Sequence, residues 1–79
     1  MDQEMQFKTI VAQYCEVKPE DMTEDMRFRE DLGFSSLDFM SFLGELEDTF
    51  EVELEEEDAL QVVTIGEALD MLNRLVEEA

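Results

Sequence analysis

Hydrophobic positions recur at helical spacing in three stretches of this chain. Phe7, Ile10, Val11 and Tyr14 share one helical face, with Val17 close by, so a first helix is expected over roughly residues 3–16. Pro19 and the polar Glu20, Asp21, Thr23, Glu24 and Asp25 break that pattern, and Gly33 closes a linker of about 19 residues. A connection of that length has to be pinned, and Met22, Met26, Phe28 and Leu32 are the apolar side chains available. Ser35 with Asp38 three residues on is a variant of the capping box, opening a second helix over residues 36–50. Its buried stripe is Phe39, Phe42, Leu43, Leu46 and Phe50. The alternation of acidic and apolar residues from Glu51 to Leu54 is too short for a strand, and reads as loop leading into a short helix near 57–62. Thr64 and Glu67 form a full capping box, after which Ile65, Ala68, Leu69, Leu72, Leu75 and Val76 line one face of a last helix. The expected fold is all-α, with three longer helices, one short third helix and a long first loop. No internal repeat is present, and low complexity is confined to the acidic run Glu55–Asp58.

The second helix departs from its own pattern at its start. Leu37 and Met40 fall on the polar side, with Ser36, Ser41, Gly44, Glu47 and Asp48, so two sizeable apolar residues face solvent. An apolar pair rimmed by acids points to a docking surface, although single exposed apolar residues are ordinary on any protein. Ser36 lies beside that pair at the helix start, where free N–H groups and the helix dipole favour an attached anion such as a phosphate. A serine there also simply suits a helix start.

Seventy-nine residues make one small domain, taken as 1–79, which buries roughly 60 to 65% of its unfolded surface. Twenty-three acids against five bases leave a net charge of −18. The charge is lopsided: residues 1–35 hold nine acids and four bases, residues 36–79 fourteen acids and Arg74 alone. Such a field repels nucleic-acid phosphates and anionic membranes and steers basic proteins. Even so, 44% hydrophobic residues, six Phe and six Met supply an ordered core. Absence of histidine removes the usual general base of nucleophilic catalysis, so the chain is not expected to be an enzyme. Cys15, on the edge of the first helix, is the one cysteine, which excludes an internal disulfide or a thiolate cluster, and no metal site is expected. No run approaches the roughly 20 apolar residues of a membrane span, and the N-terminus lacks a basic segment followed by an apolar one, so a soluble cytoplasmic protein is expected. An acidic calcium sensor is a different class, but no twelve-residue window has the acids, glycine and final glutamate of an EF-hand loop. Diffuse divalent binding at the end of the second helix and at 53–58 stays open, as does an acidic interaction module acting by charge alone.

The segment Asp31-Leu32-Gly33-Phe34-Ser35-Ser36-Leu37-Asp38 resembles the acyl carrier protein signature Asp-Leu-Gly-x-Asp-Ser-Leu-Asp, and seven of its eight positions fit. Phe28, Leu46, Glu47, Phe50, Ala59, Thr64, Ala68, Asp70 and Leu72 extend the resemblance over nearly the whole chain. The family is a four-helix bundle of the architecture expected above. The resemblance implies that Ser36 carries a covalent 4′-phosphopantetheine arm derived from coenzyme A. It implies that Leu37, Met40, Glu47 and Asp48 face partner enzymes, and that Phe28, Leu46, Ala59, Val62, Ala68 and Leu72 line the acyl-chain site. A bland core would explain those lining residues equally well. Implied partners are a phosphopantetheinyl transferase and acyl-transferring or chain-elongating enzymes with basic docking patches, met by a monomer. Ser35 replaces the family's aspartate, which removes a carboxylate contact for the transferase while leaving a residue able to cap the helix; Ser41 and Gly44 replace an acid and a larger apolar residue, which implies an altered partner preference. Phe39 and Phe42 are bulky for a core that admits acyl chains, so shorter or fewer chains should be sheltered. Fatty-acid biosynthesis is the first expectation; an aminoacyl or specialised polyketide carrier is the alternative.

Overall fold

The structure, a computed structural model, describes residues 2–78. Helix α1 spans Gln3–Ala12 and starts at Asp2, whose carboxylate accepts from the Met5 N–H at 2.8 Å. Phe7, Ile10 and Val11 turn inward as expected, but the helix stops four residues short of 16. The Gln13 N–H tightens the last turn by bonding to the Ile10 and Val11 carbonyls. Tyr14 then leaves the helix to place its ring 5.8 Å from Phe34 and 6.3 Å from Phe42, while its hydroxyl donates to Glu45 at 3.2 Å. Aromatic pairs worth about 0.5–1.5 kcal/mol each outweigh one more helical turn. Burial, and then the Glu45 carboxylate beside it, push the Tyr14 phenol above its ordinary pKa.

The linker is ordered by the side chains expected to pin it. After one 3-10 turn at Pro19–Asp21, Met22, Phe28 and Leu32 are buried and Met26 is half-buried, and Phe34, which the pattern does not single out, is buried with them. Gly33 supplies the left-handed turn (φ 73°) that returns the chain toward α2. A feature absent from the sequence pattern stitches this linker to the far end of the chain. An isolated antiparallel bridge pairs Arg27 with Thr64, the Phe28 N–H donating to the Val63 carbonyl (3.0 Å) and the Ile65 N–H to the Met26 carbonyl (2.9 Å). Gly66 continues the contact, and a Cβ there would stand 3.1 Å from the Glu24 carbonyl oxygen.

Helix α2 spans Ser36–Phe50 behind a complete capping box: the Asp38 N–H donates to Ser35 Oγ (3.1 Å) and the Ser35 N–H to the Asp38 carboxylate (3.2 Å). Phe42, Leu43 and Leu46 are buried, with Phe39 and Phe50 half-buried beside them. Helix α3 is Glu56–Leu60, earlier than the 57–62 expected; Gln61 and Val62 close its last turn on Asp58 and Ala59, and Val63 to Ile65 are taken up by the bridge to the linker. Helix α4, Ile65–Glu78, buries Ile65, Ala68, Leu69 and Leu72, and also Met71. Its box is formed by the Glu67 N–H on Thr64 Oγ1 (3.2 Å) and the Thr64 N–H on Glu67 Oε1 (3.1 Å). Phe42 sits at the middle of the core, within 5.4 to 6.2 Å of the rings of Phe28, Phe7, Phe34 and Phe39. No helix among the described residues is long and apolar enough to cross a membrane.

Candidate functional site

The Asp31–Asp38 turn delivers Ser36 to the surface as the first residue of α2. Ser35 does the capping, which leaves the Ser36 hydroxyl uncommitted to the helix. That hydroxyl accepts from Arg29 Nη2 at 2.6 Å. A guanidinium cannot remove a proton, so this contact orients the oxygen without activating it as a nucleophile. The loop that carries Arg29 is held by a ring of short bonds. The Arg27 N–H donates to the Asp31 carboxylate (2.7 Å), the Asp31 N–H to the Arg27 carbonyl (2.9 Å) and the Phe34 N–H to the Phe28 carbonyl (2.8 Å). Because Ser36 is exposed, a large substituent on its oxygen displaces no buried group, and the site fits a 4′-phosphopantetheine phosphodiester.

Around Ser36, Leu37 is 78% exposed and Met40 53% exposed, so the apolar pair faces solvent as the wheel requires. Asp48 is exposed, whereas Glu47 is half-buried and accepts from the Leu54 N–H at 3.1 Å, a bond that also ties down the loop after α2. Gly44 has open space where a Cβ would stand. With Met40, Leu43, Glu47, Leu54, Glu56, Ala59 and Leu60 it lines a groove of about 230 Å³ between α2 and α3.

The six expected lining residues divide among three environments. Phe28 and Val62 border a mainly apolar groove of about 250 Å³ with Arg27, Arg29, Glu30, Phe39, Leu60 and Val63. Ala59 borders the α2–α3 groove. Leu46, Ala68 and Leu72 are fully buried in the closed core. Among the described residues, no grouping of Cys, Asp or Glu side chains is arranged to hold a metal ion. Arg29 is the site residue that sequence reasoning passed over; its only trace there is a basic residue seven positions before Ser36 in an acidic chain.

Residues 6–72 match the family described as "phosphopantetheine attachment site". Among solved structures, a Mycobacterium tuberculosis protein assigned as an acyl carrier protein superposes with a TM-score of 0.85 at 23% identity, covering 92% of this chain and 97% of that one. Acyl carrier protein from Enterococcus faecalis gives 0.80 at 28% identity, covering 91% of each chain. The hexanoyl carrier protein of the actinorhodin polyketide synthase from Streptomyces coelicolor gives 0.79 at 26%, covering 92% and 88%.

Proposed function

The chain belongs to the phosphopantetheine attachment family, and we propose that it is an acyl carrier protein that bears its arm on Ser36 and serves fatty-acid biosynthesis. The observation that supports this reading is an exposed serine hydroxyl opening a capped helix, within a signature matched at seven of eight positions, beside the exposed Leu37 and Met40.

Members of this family are carriers and not catalysts, and the covalent 4′-phosphopantetheine supplies the thiol that holds acyl groups as thioesters. Ser36 contributes position. The transferase deprotonates its hydroxyl and brings the metal and coenzyme A. Leu37 and Met40 form the apolar centre of the docking face, and Glu47 and Asp48 meet Lys or Arg of acyl-processing enzymes. Exposed ion pairs of about 0–1 kcal/mol each suit a carrier that must leave every enzyme it visits. Phe28 and Val62 offer the acyl chain one groove near the surface and Ala59 borders another, whereas Leu46, Ala68 and Leu72 would have to part to admit it deeper. With Phe39 and Phe42 in the aromatic cluster, the carrier shelters shorter or fewer chains than an open core would. The proposed carrier is one domain over residues 1–79, monomeric and cytoplasmic, with no nucleic-acid or membrane partner.

A specialised polyketide or aminoacyl carrier is the second reading, favoured by Ser41 and Gly44 on the docking face and by the likeness to the actinorhodin synthase carrier. Mass spectrometry of the thioester-linked group on chain isolated from its own cells decides between them. Saturated or 3-hydroxy alkanoyl groups support the fatty-acyl reading; poly-β-keto or aminoacyl groups overturn it.

A further inference from the structure

The cation beside Ser36 is at odds with its surroundings. In a chain of 23 acids and five bases, Arg29 donates to a neutral hydroxyl, that of Ser36, at 2.6 Å. Among the described residues it makes no ion pair, although Glu30 and Asp31 follow it directly in sequence. Both of those carboxylates lie against Arg27, Glu30 at 2.8 Å and Asp31 at 3.8 Å. The Asp38 carboxylate, one turn into α2, is held by the Ser35 N–H. Arg29 therefore presents a planar fork of N–H donors, mostly unspent, at the oxygen where the arm begins.

The arm of this family joins its serine through a phosphodiester, which carries one negative charge and two non-bridging oxygens. Attachment changes what Arg29 meets. Ser36 Oγ becomes a bridging ester oxygen, a poor acceptor, while an anion suited to a bidentate guanidinium appears next to it. The bond to the hydroxyl is charged on the donor side alone, whereas the phosphodiester adds an opposite charge and a second acceptor oxygen, so the guanidinium gains by moving from the hydroxyl to the phosphate. Arg29 also lines the groove bordered by Phe28, Phe39 and Val62, so the anchor stands at that groove's rim.

We propose that Arg29 is a phosphate-anchoring positioning residue, whose guanidinium bonds the Ser36 hydroxyl in the free chain and the phosphodiester oxygens once the arm is attached. The proposal rests on Ser36 being the attachment site, and its test separates the two. Unmodified chain, Arg29→Gln and Arg29→Lys are each incubated with a broad-specificity transferase, magnesium and coenzyme A, and intact mass reports loading. Failure of all three to load, both as they stand and with Ser35→Asp added, overturns the Ser36 reading, and the anchor with it.

For the loaded proteins, phosphorus NMR reads the phosphodiester directly, a group with no proton to titrate near neutral pH. The unmodified signal should stand apart from that of Arg29→Gln, with Arg29→Lys between them. It should move toward the Arg29→Gln position as sodium chloride rises from about 0.01 M to about 1 M, over which the Debye length falls from about 30 Å to about 3 Å. Coincident signals with the same salt response overturn the anchor while leaving the attachment site standing. Should Arg29→Gln alone fail to load, the Arg29 Nε–H resonance of the unmodified chain decides. A shift between apo and loaded forms supports the anchor, and an unmoved resonance overturns it.

Discussion

Replacing Phe42 by alanine probes whether the aromatic cluster closes the interior as tightly as the proposed limit on acyl length needs. Phe42 is fully buried, and its ring lies 5.4 Å from Phe28, 5.7 Å from Phe7, 5.8 Å from Phe34, 6.2 Å from Phe39 and 6.3 Å from Tyr14. These neighbours come from α1, the segment after it, the linker and α2, so no single element can shift to fill the hole. The loss should fall in the upper half of the usual range of about 3–5 kcal/mol for truncating a buried phenylalanine. A chain of this length has roughly 4–12 kcal/mol in total, so the loss removes from about a third of the stability to all of it. Urea denaturation followed by circular dichroism is the assay. With a slope near 1 kcal/mol/M, the midpoint falls by about 4–5 M. Phe50→Ala, half-buried at the end of α2, serves as control and should lose less than half as much. A loss below about 1.5 kcal/mol in Phe42→Ala would show a ring that is not gripped and refute the closed cluster. The cavity left behind is apolar and ready to accept an alkyl chain. Loaded Phe42→Ala should therefore regain stability as the acyl chain lengthens, while the unmodified carrier should not. A steady rise from short to long chains in the unmodified carrier would contradict the limited shelter.

Three further perturbations bear on other parts of the structure. Gly44→Ala places a methyl in open space within α2, so it should stabilise by about 0.8–1 kcal/mol, raising Tm by about 4–8 °C in a thermal melt; a fall in Tm would mean the groove beside it is already filled. Ser35→Ala removes the acceptor for the Asp38 N–H and should cost about 0.5–2 kcal/mol, whereas Ser35→Asp, which can still cap, should stay close to the unmodified midpoint in urea. Tyr14 is the only tyrosine, so the ultraviolet absorbance of tyrosinate titrates it alone, and its midpoint should lie above the ordinary 10.0. The folded-state pKa is the raised one, so the stability linked to this proton is fully present below about pH 10 and is lost as pH rises through the folded value. Tyr14→Phe should abolish that alkaline loss, and a midpoint at or below 10.0 would contradict the burial of the ring.

The helices with the strongest periodicity were legible in the sequence to their first residue. Ser35 and Thr64 announce α2 and α4 because a capping box depends on residues three apart, and Leu37 and Met40 declare themselves because a helical wheel shows where a stripe is broken. What the sequence hides is what distant segments do to one another. The Arg27–Thr64 bridge joins residues 37 apart and holds Val63 to Ile65 against the linker, so the chain after α3 cannot continue as helix. Tyr14 has the spacing of a helical residue, yet its partners Phe34, Phe42 and Glu45 lie on other elements and draw it out of α1. Arg29 carried no motif at all. Its place beside Ser36 depends on the Gly33 turn and on Arg27 occupying the nearby carboxylates, neither of which spacing alone expresses. At the candidate site, the signature located Ser36, while the division of the lining residues between a surface groove and a closed core emerged only from packing.

The central claim is that Ser36 is the oxygen that bears the arm, and intact mass tests it most directly. The unmodified chain, Ser36→Ala and Ser35→Ala are incubated with a broad-specificity phosphopantetheinyl transferase, magnesium and coenzyme A, with Ser35→Asp restoring the family's residue in a fourth sample. The account predicts a gain of one phosphopantetheine in every sample except Ser36→Ala. A gain in Ser36→Ala, or no gain in any sample including Ser35→Asp, would contradict it.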